Sequence, residues 1–188
     1  MAHSGLSRVP SVLIYQQFSF IIFVNSHIFA LYSIPRSRAM NKQIIYIDMD
    51  NVLVDFVSAF PHLSKETMKA YEGKLDEVPG IFSLMLPMKG AIEAYRYLAD
   101  HYDVYILSTA PWLNPSAWSD KLLWVQKYLG EVAYKRLILT HHKDLNRGDY
   151  LIDDRAKNGA SDFEGTLIQF GTAQFPDWAA VLDYFKSL

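Results

Sequence analysis

From residue 43 onward, short unbroken apolar runs alternate with stretches where apolar residues recur every third or fourth position. Residues 44–47 form the first run, which stops on Asp48. Residues 104–107 stop on Ser108 and Thr109, residues 137–139 on Thr140, and residues 150–152 on Asp153 and Asp154; residues 166–169 form a fifth run. A run without alternation predicts a strand buried on both faces, as in a parallel sheet. Between these runs, residues 89–100 carry Ile92, Tyr95 and Leu98 at helical spacing. Residues 116–129 carry Trp118, Leu122, Val125 and Leu129, with Gly130 as a stop signal, and residues 177–187 carry Trp178, Val181, Leu182 and Phe185. Strands alternating with helices predict an α/β fold, a Rossmann-like parallel sheet flanked by helices.

The first 40 residues break this pattern. They hold no Asp and no Glu, and residues 12–34 are apolar and aromatic over a length that reaches that of a membrane span, about 20 residues. Gln16, Gln17, Asn25, Ser26 and His27 interrupt the run, and Ala30 lacks the small-residue partner of a signal cleavage site. Three readings stay open: a membrane or export segment, a cleavable signal, and an extension upstream of a domain that opens at Met40. The third is the expectation adopted, with residues 1–40 as an apolar extension and 41–188 as the functional domain. On that reading the protein is cytoplasmic, and a membrane or export role returns only if residues 12–34 act as a true segment.

Composition narrows the chemistry. The 188 residues contain no cysteine, which removes disulfides, thiolate metal sites and cysteine nucleophiles. Eighteen basic against 20 acidic residues give a net charge of -2, so no basic surface is set up to hold a nucleic-acid polymer. An anionic small molecule has to be met by a few local groups.

Those groups converge. In open α/β sheets, ligands bind outside the carboxyl ends of the strands. The predicted strands deliver Asp48 and Asp50, then Ser108 and Thr109, then Lys143 in the loop after the third strand, then Asp153 and Asp154, to one edge. Carboxylates gathered in one place repel unless a cation sits among them. An all-oxygen set favours a hard cation such as Mg²⁺. A hydroxyl at Ser108 and the ammonium of Lys143 suit a phosphate. A carboxylate can act as nucleophile toward a phosphoryl group, and a second can transfer the proton.

The residues now resemble a known family. The run Asp48-Met49-Asp50-Asn51-Val52-Leu53-Val54-Asp55, then Ser108, then Lys143, then Leu151-Ile152-Asp153-Asp154-Arg155, resembles the four motifs of the haloacid dehalogenase superfamily of phosphatases, at intervals of 60, 35 and 10 residues. A narrower resemblance is to the 5'(3')-deoxyribonucleotidases, carried also by Phe56, Pro79-Gly80-Ile81-Phe82, residues 87–90 and Ser108-Thr109-Ala110-Pro111. It covers about residues 43–186.

That resemblance implies a small helical cap inserted after the first strand, at about 56–88. It implies Asp48 as nucleophile and Asp50 as acid/base. Mg²⁺ would be held by Asp48, the Asp50 carbonyl and Asp154. Phosphate contacts would come from Ser108, Thr109 and Lys143, base stacking from Phe56 and Phe82, and Asp153 would act through water or orient Lys143. Two positions depart from the pattern: His141 stands where an Arg is expected, and Ile81 where an aromatic is usual.

The expected activity is Mg²⁺-dependent removal of phosphate from (deoxy)ribonucleoside monophosphates through a phospho-aspartate. Its partner is a small nucleotide, without nucleic-acid polymer or membrane, and a homodimer is left open. Two alternatives stand beside it: a phosphatase of the same superfamily acting on a sugar phosphate or other metabolite, and a non-catalytic nucleotide-binding module. Ordinary structural roles are assigned to Trp112, Trp118 and Trp124 as packing residues and to Arg155 as a partner of a nearby carboxylate. The adjacent His141 and His142 are not read as a metal pair, because neighbours rarely present both rings to one ion.

Overall fold

The structure is a computed structural model that describes residues 42–188. The expectations for residues 1–40 lie outside the described residues. In chain order the elements are β1 (Ile44–Ile47), an insert framed by β2 (Val54–Asp55) and β3 (Leu86–Pro87) with α1 (Lys65–Ala70) between them, and α2 (Ala91–His101). There follow β4 (Asp103–Ser108), α3 (Ser116–Tyr128), β5 (Leu137–Leu139), β6 (Tyr150–Asp153), β7 (Thr166–Gln169) and α4 (Trp178–Lys186). Five strands form one parallel sheet in the order β5-β4-β1-β6-β7, as the apolar runs predict.

The order reverses at β1. Strands β4 and β5 are laid outward on one side, β6 and β7 on the other. Register then sets the site. Ile47 pairs with both Ile106 and Ile152, so Asp48 and Asp153 leave neighbouring strands at the same height. Alternate side chains of β1 go to opposite faces of the sheet. Ile45 and Ile47 join the larger core with Tyr95 and Leu98 of α2, Trp124 and Val125 of α3, and Trp178, Val181 and Phe185 of α4. Tyr46 goes to the other face with Leu107, Leu151, Ala160 and Phe163, covered by the segment that carries 3-10 turns at Lys143–Leu145 and Ala160–Asp162.

The insert between β1 and α2 is built of 3-10 turns at Phe56–His62, Leu75–Glu77 and Ile81–Leu84, the short α1, and the two-residue antiparallel pair β2–β3 at its base. Asp55 caps the first turn by accepting from the Val57 amide at 3.1 Å, a structural use of that carboxylate.

Helix α3 differs from its periodicity. Trp118 and Leu122 point outward, 41% and 46% exposed, and the buried stripe is Ala117, Asp120, Lys121, Trp124 and Val125. The helix is turned by about one residue, about 100°, from the orientation its large apolar residues suggest. Trp124 anchors this rotation by donating to the Met85 carbonyl in the insert at 3.1 Å. The reason Lys121 tolerates burial lies in the site.

Candidate active site

The chain leaves β1 into a tight loop. The Met49 carbonyl accepts from the amides of Val52, Leu53 and Val54, at 3.2, 2.8 and 2.8 Å. This curl needs a left-handed residue, and Asn51 supplies it at φ 59. Asn enters that region more readily than most residues. From α4, the Trp178 indole donates to the Val52 carbonyl at 2.8 Å and pins the loop to the core. The Asp48 amide donates to Ile152 O at 2.9 Å, tying the start of the loop to β6. Asp48 and Asp50, one residue apart in this loop, both line the same cleft.

Lys143 sits among the carboxylates. Its Nζ is 3.1 Å from Asp48 Oδ1 and also pairs with Asp153 Oδ2, and all three side chains are buried. Its loop is held by the Lys143 amide donating to Asn158 O at 2.8 Å. Beside it Gly159 adopts φ 83, and a Cβ there would lie 2.0 Å from Asp144 Oδ1, so this position requires glycine. Burial disfavours the Lys143 ammonium, but Asp48 and Asp153 outweigh it and its pKa is raised. Burial pushes Asp153 up to about 6, with repulsion from Asp48 adding to it and Lys143 opposing it. Burial likewise raises Asp154, against Arg155. Asp50 is raised by burial and by Asp48, against Lys121.

Lys121 is the residue that sequence reasoning missed. It is fully buried on α3, and its Nζ reaches Asp50 Oδ1 and Oδ2 at 2.8 Å each and Ser108 Oγ at 3.0 Å. Ser108, the last residue of β4, is buried beneath it, and Thr109 donates its hydroxyl to Thr140 O at 2.9 Å. The signal for Lys121 was its helical spacing from Ala117 and Trp124, which the larger Trp118–Leu122–Val125 stripe obscured.

These groups open into a cleft of about 660 Å³ lined by Asp48, Asp50, Thr109 and Lys143 on the sheet side and by Phe56, Leu75 and Asp76 from the insert. Phe56 presents its ring to the cleft. Phe82 is buried behind it, ring centroids 6.1 Å apart, with Lys121 Nζ 4.6 Å over its face. Ile81 is buried in the core. His141 lines the cleft against the edge of Trp112, 5.9 Å away, and Trp112 itself is 78% exposed at the mouth. Arg155 pairs with Asp154 through Nε at 3.4 Å.

The insert is latched to the start of α3. Buried Asn114 donates to the carbonyls of Asp76 and Val78 at 2.9 and 3.0 Å, and Ser116 Oγ accepts from the Gly80 amide at 2.8 Å. Replacing Asn114 by Ala leaves two carbonyls unpaired, at a cost of about 1–3 kcal/mol. The expected result is faster proteolytic cleavage within residues 64–80 at little change in helix content. Unchanged cleavage would show that the latch does not hold the insert.

Donor chemistry fits a divalent cation. One carboxylate oxygen from each of Asp48, Asp153 and Asp154 lies within 4.8 Å of the others, and no other such cluster occurs among the described residues. Asp154 Oδ1 is buried without a hydrogen-bond partner, while Asn51 Nδ2 donates to its Oδ2 at 3.3 Å. Asp153 is already committed, to Lys143 and to the Arg155 amide at 2.9 Å. Asp154 Oδ1 makes no hydrogen bond and only a 3.4 Å ion pair with Arg155 Nε, which leaves it available to an ion, and an all-oxygen set suits Mg²⁺. The Asp50 side chain is engaged by Lys121.

The five-stranded parallel sheet, the insert after its first strand, and four motifs at the strand ends define a phosphatase of the haloacid dehalogenase superfamily. Comparison with known proteins narrows the class. A family model described as "5' nucleotidase, deoxy (Pyrimidine), cytosolic type C protein" matches residues 74–176. A protein of Vibrio phage KVP40 is 60% identical over 155 residues, 82% of this chain and 91% of its own length. One from Bordetella bronchiseptica is 34% identical over 137 residues, 60% of this chain and 74% of its own. One from Staphylococcus epidermidis strain RP62A is 29% identical over 179 residues, 79% of this chain and 99% of its own. All three bear the name "Putative 5'(3')-deoxyribonucleotidase". The chain belongs to this 5' nucleotidase family and is a hydrolase of the nucleotidase class.

Proposed function

We propose that the protein removes phosphate from deoxyribonucleoside monophosphates by double displacement on Asp48, with Mg²⁺ as cofactor. The observation that carries this reading is the meeting of Asp48, Asp50, Lys143 and Asp154 at the end of the β1 strand, beneath an insert that offers the Phe56 ring. The insert over 56–88 serves as the cap, and the domain acts in the cytoplasm on a small diffusible substrate.

The carboxylate of Asp48 attacks phosphorus. The ester bond to the nucleoside breaks, and the departing oxygen takes the proton of the Asp50 carboxyl. Asp50, now a carboxylate, takes a proton from water as that water attacks the phospho-Asp48. The bond between phosphorus and Asp48 breaks, inorganic phosphate leaves, and Asp50 again carries its proton. Lys143 neutralises Asp48 as the anionic substrate approaches, and Asp153 orients Lys143. Thr109, on the cleft wall, binds a phosphate oxygen, and Ser108, buried behind Asp50, accepts from Lys121 and braces that edge. Mg²⁺, held by Asp48, Asp154 and the Asp50 carbonyl, supplies charge neutralisation on the phosphoryl oxygens when bound. The Phe56 ring stacks on the base, with Phe82 supporting it from behind.

Phosphate release by the full-length chain with Mg²⁺ tests this reading across dTMP, dUMP, UMP, AMP and a set of sugar phosphates. The expected order places dTMP and dUMP ahead, with activity lost on chelation. Turnover of sugar phosphates alone would sink the nucleotide assignment, and binding without turnover would make the protein a nucleotide-binding module. The base contact has its own prediction. Phe56→Ala should raise KM for the preferred nucleotide about 10-fold, within the roughly 1–3 kcal/mol of a base–aromatic stack, at nearly constant kcat. A loss confined to kcat would remove Phe56 from base recognition.

A further inference from the structure

A lysine with no exposed surface needs a reason, because burying an ammonium costs several kcal/mol unless its partners are well placed. Lys121 has three oxygen partners and an aromatic face. Nζ bridges both carboxylate oxygens of Asp50 and the hydroxyl of Ser108, and the Phe82 ring lies 4.6 Å beneath it. Asp50 comes from the loop after β1, Ser108 from the end of β4, Phe82 from the insert, and Lys121 from the buried stripe of α3. One side chain therefore joins four separate elements of the catalytic edge. It does not line the cleft, and no oxygen of Asp48, Asp153 or Asp154 is among its partners. The two lysines divide the acidic groups: Lys143 serves the nucleophile side and Lys121 the side of Asp50.

We infer that Lys121 is a positioning residue for phosphoryl transfer: it fixes the Asp50 carboxyl against Ser108, so that the proton-transferring group and the end of β4 hold one geometry. Without it, Asp50 keeps its chemistry but is free to turn about χ1 and χ2, and proton delivery to the departing oxygen becomes occasional. General acid–base groups contribute about 10²–10⁴-fold when held in place. A free carboxyl forfeits much of that. Lys121 reaches the substrate only through Asp50, so its effect should depend on how much the leaving group needs a proton.

This inference rests on the assignment of Asp50 as the proton donor, and the test separates the two. kcat/KM is measured for dTMP, whose leaving group is a sugar hydroxyl, and for p-nitrophenyl phosphate, whose leaving group departs readily without a proton. The proteins are wild type, Asp50→Asn, Lys121→Met and the double variant. Lys121→Met should lower kcat/KM for dTMP about 10²-fold more than for p-nitrophenyl phosphate. Each ratio is taken on one preparation, so it does not depend on the folded fraction.

In the Asp50→Asn background, adding Lys121→Met should bring little further loss on dTMP, because the lysine acts through the missing carboxyl. The double variant carries no unpaired buried charge at this pair, so it answers the question even if Lys121→Met does not fold. If Asp50→Asn lowers both substrates equally, the assignment of Asp50 itself fails. If Asp50→Asn discriminates between them and Lys121→Met does not, or if the two losses add in the double variant, Lys121 is a structural lysine only.

Discussion

Replacing Asp48 by Asn is expected to reduce phosphate release by about four orders of magnitude, the scale of losing a nucleophile. The substitution keeps the shape of the side chain and its place on the loop. The Asp48 amide still reaches Ile152 O, and Trp178 still holds the Val52 carbonyl. What is lost is the anionic oxygen that faces Lys143 at 3.1 Å. Fold and nucleotide binding should therefore persist while turnover stops. Steady-state phosphate release and equilibrium binding of dTMP, measured on the same preparation, check this. Residual activity within tenfold of wild type would remove Asp48 from the covalent role.

The second large effect concerns Lys143. Its ammonium lies between Asp48 and Asp153 with Asp154 adjacent, and the first two carboxylates and the lysine are all buried. Lys143→Met keeps the aliphatic stem and deletes the charge. The remaining carboxylates face one another in a poorly solvated site, a situation that costs about 3–5 kcal/mol when a buried pair is broken. The denaturant midpoint should fall accordingly. Turnover should drop by about 10²–10³-fold through loss of charge stabilisation at the phosphoryl group. Mg²⁺ should restore part of the stability and little of the activity, because a cation among the carboxylates relieves their repulsion without replacing the lysine. A variant with the wild-type midpoint in the absence of Mg²⁺ would show that Lys143 does not neutralise this cluster.

The parallel sheet was legible because its strands are short and apolar and each stops on a polar residue. Asp48, Asp50, Ser108, Lys143, Asp153 and Asp154 could be placed at one edge from that punctuation alone, and the register of Ile47 with Ile106 and Ile152 brings them there. The rotation of α3 was not legible. Trp118 and Leu122 look like core residues, yet they face outward with Tyr134 and Leu139 beside them, because Asp50 and Ser108 draw Lys121 inward. Periodicity reads hydrophobicity, and here a polar contact across 71 residues decided the helix face. Asn114 was hidden for a similar reason: its partners are backbone carbonyls of the insert, which leave no trace in side-chain type. Phe56 and Phe82 were legible as a pair, but which ring meets the cleft depended on the fold of the 3-10 turns that carry them.

Covalent catalysis by Asp48 requires a phosphorylated enzyme, which rapid quenching should catch. Full-length protein and Mg²⁺ are mixed with dTMP, quenched in acid within the first turnover, digested, and mapped by mass spectrometry. One added phosphoryl group is expected on the peptide that contains Asp48, absent from Asp48→Asn and labile to mild base. Rapid turnover with no phosphorylated peptide at any quench time would contradict it and point instead to direct attack by water.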